Sequence, residues 1–446
     1  MSSLANTEPA GALSAESPHP KPDRSTVAVI GLGYVGLPLA VEFAKAGHTV
    51  IGLDVDERKV SALNACESYI PDVPSAEVAE LRQAQKLSAS CDFSKLAEAD
   101  AIIIAVPTPL RKTKDPDVSY IVAAAEQIQK YIRKGQTIVL ESTTYPGTTD
   151  ELLLPMFEAS GLTVGEDFYL AFSPERVDPG NASFGTRNIP KVVGGVTPKC
   201  TERAADLYRG AVETVYPVSS SRVAETAKLL ENTFRSVNIG LVNELALMCH
   251  HLEVDVWEVI EAAATKPFGF MKHTPGPGIG GHCIPLDPFY LSWKARLSGF
   301  EAKFIGLAGE VNASMPHHVV QLTMEGLNED DKAMRGSRIL VLGVAYKKDV
   351  SDMRESPAIE IIQSLRARGA QVEYNDPFIP FLQIDGYSAE SVSLLPEVLR
   401  GYDAVVLVTD HGAYDWDELL PNVKTFIDTR NVSRGKEHLA RRIVKL

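Results

Sequence analysis

The sequence predicts an α/β protein: two doubly wound lobes joined by a long central helical domain. Three observations carry this expectation. A β-rich run, Thr26–Ile30, opens directly into the glycine turn Gly31-Leu32-Gly33-Tyr34-Val35-Gly36. Strand-sized apolar runs alternate with helix-compatible stretches in both the first and the last thirds of the chain, the pattern of a parallel sheet. Between them, from about Arg222 to Ala264, strong helix formers run with few breakers.

In order, Thr26–Ile30 is the first strand, Leu37–Ala46 a helix stopped by Gly47, and Thr49–Leu53 a second strand ending in Asp54, eighteen residues after Gly36. Further strands read at Ala101–Val106, Thr137–Glu141 and Tyr169–Phe172. The stretch from Arg222 to Ala264 reads as one long helix or two in series. A loop rich in Gly and Pro follows at 275–288, then a helical stretch to about Leu327. A second α/β module starts at Arg338, with strand ILVLGVAY, helix Ala358–Arg368 and strands Gln371–Tyr374, Ala404–Val408 and Thr425–Asp428. The expected partition is a disordered tail over 1–25, a nucleotide-binding lobe over 26–218, a helical domain over 219–330 and a second lobe over 331–446.

Composition narrows the function. Of 446 residues, 44 are Lys or Arg and 58 are Asp or Glu, a net charge of −14. That balance argues against broad nucleic-acid or anionic-membrane binding, though a local cationic pocket for a phosphorylated ligand remains compatible with it. The five cysteines (Cys66, Cys91, Cys200, Cys249 and Cys283) form no CxxC pair and no zinc-spaced cluster, so neither disulfides nor a metal are expected. The tail lacks a signal-peptide core, and the longest apolar runs are far too short to span a membrane. A cytoplasmic protein is expected.

The glycine turn has a physical task. Gly31 permits the tight turn, Gly33 lets a pyrophosphate approach the backbone, and Gly36 lets helix and strand pack closely, while the helix N-terminus meets the phosphate charge. Asp54 stands where a carboxylate binds a ribose 2′-hydroxyl, which favours NAD over NADP. Cys283 lies in GIGGHCIPLDP, a loop that cannot be helical; it is either an approachable nucleophile or a structural cysteine. Lys228 and Asn232, at i and i+4, share one helix face, either to hold an oxyanion or as a solvated surface. Thr143 and Glu175 follow strands at the edge where α/β sheets bind ligands. Lys347, Arg354 and Arg430 follow strands of the second module and would suit phosphate or carboxylate.

Seven motifs occur together and in order: GLGYVGLPLA, AVPTP (105–109), ESTTYPGT (141–148), FSPER (172–176), AKLLENTF (227–234), GIGGHCIPLDP (278–288) and LGVAYKKDVSDMRESP (342–357). In these the chain resembles the nucleotide-sugar 6-dehydrogenase family over nearly everything after residue 25. The resemblance implies Rossmann-like lobes and oxidation of C6 of a UDP-sugar from alcohol to acid with two NAD⁺. It implies Cys283 as the nucleophile, Lys228 and Asn232 as oxyanion holders, Asp287 as the carboxylate acting on water, and Thr143 as a positioning group. It places Gly31, Gly33, Tyr34, Val35, Gly36, Asp54, Arg58, Thr108, Thr143 and Arg354 on NAD. It places Glu175, Arg176, Lys228, Asn232, Gly280, Lys347 and Arg430 on the UDP-sugar. A homodimer built on the central helix is also implied.

Three positions depart from the pattern of the UDP-glucose enzymes. Leu286 stands where a lysine precedes the aspartate, Pro179 where a second glutamate follows the first, and His282 where Ser or Tyr is common. The water-activating base is therefore Asp287 or Glu175, and His282 either holds the thiolate or fills the loop. GGHCIPLDPFYLSWKA and SPERVDPGN look like the branch acting on UDP-N-acetylhexosamines, which puts UDP-GlcNAc first, UDP-ManNAc next and UDP-glucose third. An NAD-dependent epimerase or isomerase, with no net NADH, is the rival from another class; it would have no use for Cys283.

Overall fold

The computed structural model of the protein describes residues 25–109, 115–178, 183–281 and 283–446. The expected tail, Pro179 and His282 lie outside the described residues, apart from Ser25. The chain forms two compact units. One holds the chain up to Pro107, Ile121–Ser142 and Thr149–Ala224; the other holds Thr108–Tyr120, Thr143–Thr148 and Glu225–Leu446. Two short segments from inside the 26–218 range thus pack with the second unit.

The first unit is built on eight strands: β1 (Thr26–Ile30), β2 (Thr49–Leu53), β3 (Leu87–Ser90), β4 (Ala101–Ile104), β5 (Thr137–Leu140), β6 (Tyr169–Phe172), β7 (Lys191–Gly195) and β8 (Val215–Val218). Their order is β3-β2-β1-β4-β5-β6-β7-β8. Strands β4 and β5 read AIII and TIVL and are buried throughout, as a sheet covered on both faces requires. The helix Gly36–Lys45 lays Leu37, Ala40, Val41 and Phe43 into the core formed with Val27, Val50 and Ile103. The chain leaves β1 toward β2 and returns on the other side at β4, so the sheet's switch point falls at the glycine turn.

One pair departs from the expected parallel sheet: β6 and β7 run antiparallel, with Ala171 opposite Gly195. A parallel return needs a crossover, usually a helix, and none lies between these strands among the described residues. From β7 to β8 the helix Pro198–Arg209 supplies that crossover, and the pair is parallel.

In the second unit the central stretch is two helices in series, Ser221–His251 (from Glu225 onward in this unit) and Val256–Ala264. Glu253 takes a left-handed φ of 57°, and Asp255 caps the new helix by accepting from the Trp257 and Glu258 amides. The stretch expected to reach Leu327 is likewise two helices, Asp287–Leu297 and Lys303–Asn328, broken at Gly299. The second sheet contains β9 (Arg338–Leu342), β10 (Gln371–Asn375), β13 (Ala404–Leu407), β14 (Thr425–Asp428) and β15 (Arg442–Lys445) in the order β10-β9-β13-β14-β15, all parallel. A hairpin of β11 (Phe381–Ile384) and β12 (Tyr387–Glu390) stands apart. Met315, Val319, Leu322 and Leu327 of the Lys303–Asn328 helix share one core with Ile339, Val341, Val406 and Ile427, so central helices and second sheet pack as one body. Among the described residues no helix is long and apolar enough to cross a membrane.

Candidate active site

At the switch point of the first sheet the Gly31 amide donates to the Leu53 carbonyl at 2.8 Å, with a φ of +94°. A side chain there would meet the Ala105 carbonyl oxygen at 2.5 Å, and one at Gly36 would lie 1.7 Å from the Gly31 carbonyl oxygen. Gly33 differs: a Cβ there meets nothing within 4 Å, so the middle glycine faces open space. No side chain caps the helix that follows, the place where an anion can bind, although the Leu37 amide donates to the Gly33 carbonyl at 3.1 Å. Tyr34 is exposed and Val35 half-buried beside them.

Asp54 is buried at the end of β2. Its Oδ2 accepts from the Leu32 amide (2.9 Å) and Lys59 Nζ (3.1 Å), and its Oδ1 from the Asp56 amide (2.9 Å). Arg58 is exposed and doubly bonded to Asp56 at 3.0 and 2.9 Å, which holds the Asp56 carboxyl down at about 2. An open glycine, an uncapped helix end and a carboxylate beside them fit a pyrophosphate and its ribose. NAD therefore suits this site.

Glu175 belongs to the same unit. Its Oε1 accepts from the Arg176 and Val177 amides, both at 2.7 Å, and its Oε2 lies 3.7 Å from Lys191 Nζ. Lys191 is buried and paired with Glu141 at 2.7 Å, and Tyr208 also donates to Glu141. Burial pushes the Glu141 carboxyl up to about 7 against the pull of Lys191, with Glu175 adding to the rise. Arg176 donates to the Pro190 carbonyl at 2.6 Å.

The second unit gathers the other candidates. Cys283 is half-buried, and its carbonyl accepts from the Leu286 (3.0 Å) and Asp287 (2.8 Å) amides, a turn that feeds the Asp287–Leu297 helix. Asp287 sits in the first helical turn with its carboxylate turned away to Asn232, whose side-chain amide donates to it. Burial raises the Asp287 carboxyl to about 6, opposed by the charge of Lys228 and the Asn232 bond. Lys228 is itself buried. On the same helix face, Glu225 accepts from the Gly147 amide at 2.6 Å and thereby fixes the turn after Thr143.

Thr143 offers its carbonyl to the Thr108 hydroxyl at 2.6 Å, and Tyr290 donates to the Thr108 carbonyl. Burial drives the Tyr290 hydroxyl far above its ordinary range, and the charges of Asp287 and Cys283 add to that. Cys283, Asp287, Asn232, Lys228, Tyr290, Thr108 and Thr143 thus belong to one neighbourhood of the second unit. Glu175, Arg176 and the glycine turn belong to the first.

Toward the second sheet the loop before Cys283 is pinned at several points. The Gly276 amide donates to Asn243 Oδ1 at 2.9 Å, and Asn243 donates to Asn312 at 2.9 Å. The Gly281 amide donates to the Arg354 carbonyl at 3.1 Å. Any side chain at Gly280 would run into Tyr346 at 2.8 Å. Arg354 itself pairs with Asp352 at 2.6 Å, and Lys347 is half-buried on the 343–349 segment. Arg430 donates to the Val408 carbonyl at 2.8 Å; burial lowers its guanidinium to about 10, against the pull of Asp410 and Asp428.

Sequence reading missed Tyr290, Glu225, Glu141 and Lys191. Glu225 lies three residues from Lys228 on the helix face already singled out, so helical spacing could have found it; Tyr290 lies three residues from Asp287, on a helix that begins inside the stretch read as a loop. Glu141 and Lys191 are fifty residues apart and meet only through the sheet.

A nucleotide cradle in one α/β unit, and in the other a half-buried cysteine whose carbonyl accepts from the amide of a buried aspartate, define an NAD-dependent oxidoreductase. Comparison with known proteins narrows this. The UDP-glucose/GDP-mannose dehydrogenase family matches through its NAD binding domain at 25–212, its central domain at 222–314 and its UDP binding domain at 340–435, and the chain belongs to that family. A UDP-N-acetyl-D-glucosamine 6-dehydrogenase of Pseudomonas aeruginosa is 37% identical over 87% of this chain and 88% of its own length. A UDP-N-acetyl-D-mannosamine dehydrogenase of Pyrococcus horikoshii is 35% identical over 91% of this chain and 95% of its own. A solved structure of UDP-D-ManNAc dehydrogenase from Pyrococcus horikoshii superposes with a TM-score of 0.83 at 34% identity, covering 91% of this chain and 95% of that one.

Proposed function

We propose that the protein oxidises C6 of a UDP-N-acetylhexosamine, UDP-GlcNAc first, from alcohol to carboxylate through a covalent intermediate on Cys283. The observation that carries this reading is the turn that joins Cys283 to Asp287 four residues on, with Asn232 on that buried carboxylate and the charge of Lys228 acting on it. When bound, NAD⁺ supplies the hydride acceptor for both oxidations, and the Gly31–Gly36 turn with Asp54 would hold it, with Tyr34, Val35, Arg58, Thr108, Thr143 and Arg354 as further contacts.

The chain's own residues supply the rest. Once C6 is an aldehyde, the Cys283 thiolate adds to it: an S–C6 bond forms, and the carbonyl electron pair moves onto oxygen. Lys228 and Asn232 hold that oxyanion, which costs little where both are already fixed. The second oxidation removes a hydride from C6 and leaves a thioester. Water then attacks the thioester carbon, the C–S bond breaks, and the thiolate is restored as the acid forms. Asp287, raised to about 6 by burial, is ionised at neutral pH yet basic enough to take the water's proton. Glu175 is the alternative base, and Thr143 orders the water. The balance is one alcohol, one water and two NAD⁺ giving one carboxylate, two NADH and three protons.

Arg176, Gly280, Lys347 and Arg430 would hold the UDP-sugar, the two cations in the second unit taking the diphosphate. UDP-ManNAc is the second reading, favoured by the relative from Pyrococcus horikoshii. A homodimer is supported by one apolar stripe on the long helix: Val223, Leu230, Phe234, Leu241 and Met248 are all exposed, at steps of seven, four, seven and seven. Five widely spaced cysteines with no CxxC pair in the sequence support a reducing, cytoplasmic setting.

The test counts NADH released per sugar consumed with UDP-GlcNAc, UDP-ManNAc, UDP-GalNAc and UDP-glucose. Two NADH, fastest with UDP-GlcNAc, is the expected result. Two NADH with another sugar moves the specificity; none, with sugar converted, would favour an epimerase.

A further inference from the structure

His411 is fully buried in the second unit and bridges two chain segments. Its Nδ1 accepts from the Asp349 amide at 3.0 Å, and its Nε2 lies 3.0 Å from Asp376 Oδ2, to which it donates. The same Asp376 Oδ2 accepts from the Val344 (2.7 Å) and Ala345 (2.8 Å) amides. Around the ring, the Gly412 amide donates to Asp349 Oδ1 at 2.7 Å, and the Thr409 hydroxyl donates to the Ala345 carbonyl at 2.7 Å. With the Gly343 amide on the Asn375 carbonyl (2.9 Å), six bonds from the ends of β10 and β13 therefore grip one short segment, 343–349, which carries Tyr346 and Lys347.

Tyr346 is where that segment meets the loop before Cys283. A Cβ at Gly280 would lie 2.8 Å from the Tyr346 Cβ, and one at Gly281 would lie 2.8 Å from its ring. Both glycines leave room for this ring, and the Gly281 amide donates to the Arg354 carbonyl from the same side. Where Tyr346 sits, Gly280 and Gly281 must follow, and Cys283 is two residues on.

We propose that His411 is a positioning residue for both loops: with Asp376 it fixes the 343–349 segment under the UDP moiety, and through Tyr346 that segment fixes the approach to Cys283. The proposal rests on the reading above that Lys347 contacts the UDP-sugar. It makes substrate capture and nucleophile placement depend on one buried imidazole that touches neither.

Two substitutions of His411 permit a clean test. His411→Phe keeps an aromatic ring against Phe378 and Tyr414, whose centroids lie 5.0 and 5.6 Å away, but can neither accept from Asp349 nor donate to Asp376. The expected result, measured on the full chain, is a KM for UDP-sugar raised about tenfold, as loss of a hydrogen bond or two would give. The KM for NAD⁺ should stay within about twofold, and Cys283 should alkylate severalfold faster with iodoacetamide, read by peptide mass spectrometry. His411→Gln, which keeps an acceptor and a donor, should restore most of the loss. Should His411→Phe fold poorly, Thr409→Val removes one grip on Ala345 and should raise the same KM by a smaller factor. An unchanged KM and alkylation rate in these variants, while Lys347→Ala raises the KM, would overturn the proposal alone. An unchanged KM in Lys347→Ala as well would overturn the substrate-binding reading of the segment and the proposal with it.

Discussion

The two sheets begin their binding edges alike and then diverge. In the first, the Gly31 amide donates to the last residue of β2, and the next residue, Leu32, donates to Asp54 just beyond that strand. In the second, the Gly343 amide donates to Asn375 at the end of β10, and Val344 donates to Asp376. Both glycines have positive φ, and each would collide with a carbonyl oxygen across the switch point, of Ala105 and Thr409 respectively. The frame is the same; the use is not. Gly36 lets the first helix start five residues after Gly31, with no side chain capping it. The second lobe's helix starts at Pro357, fourteen residues after Gly343, and Ser356 caps it. On the reading proposed above, recognition there passes from backbone amides to the cations Lys347 and Arg430. The carboxylates differ too: Asp54 lies beside a half-exposed lysine, whereas Asp376 is sealed under His411. On the same reading Asp54 is the ribose acceptor of one lobe, while the equivalent acid of the other, Asp376, anchors a loop.

The largest expected effect lies outside both frames. Cys283→Ala should cut acid formation more than about a thousandfold, as loss of a nucleophile does. NAD binding should be unchanged by fluorescence titration; normal acid production would end the covalent mechanism. The paired carboxylates test the comparison itself. Asp376→Ala strands several buried donors and should cost about 3 kcal/mol in urea unfolding. Asp54→Ala should cost far less stability but raise the KM for NAD⁺ about tenfold, the worth of one charged hydrogen bond. Equal stability losses would mean that Asp54 is as structural as Asp376.

The effect of pH separates these acids by sign. Asp376 is held below its usual range: burial works against ionisation, but the His411 and backbone hydrogen bonds outweigh it. Its contribution to stability is present above the ordinary carboxylate value and is lost as pH falls through the lowered one. Asp287, raised to about 6, acts oppositely, and its contribution fades as pH rises from about 4 to 6. Turnover should fall below about pH 6 as Asp287 takes a proton, and Asp287→Asn should leave a low rate without that limb. An unchanged limb would transfer the base role to Glu175. The smallest effect is at the cap. Ser356→Ala should cost about 1 kcal/mol and leave NAD kinetics untouched, since only the second lobe's helix depends on it.

What the sequence made legible follows physical locality. The first βαβ unit was readable because strand, glycine turn, helix and acid lie within thirty contiguous residues. The Cys283 loop was readable because Gly and Pro exclude a helix. Strands β3, β7, β8 and β15 were not, since LSAS, KVVGG, VYPV and RIVK are short and lie at sheet edges or beside them. The partners of the site residues were hidden for another reason. His411 reaches Asp376 across 35 residues and Glu141 reaches Lys191 across 50, and only strand pairing brings them together. Lys59 could not be foreseen on Asp54, because helix formers are placed by periodicity and not by the carboxylate they meet.

The Glu141–Lys191 pair has a consequence for ionic strength. Mobile ions screen charges they can surround, within about 8 Å at physiological salt. They cannot surround a pair whose side chains are 0% and 4% exposed, so the field these charges place on Glu175 does not depend on added salt. Lys347, half-buried, is within reach of those ions. A salt series should therefore weaken the diphosphate capture proposed for Lys347 while leaving the buried electrostatics of the first unit as they were.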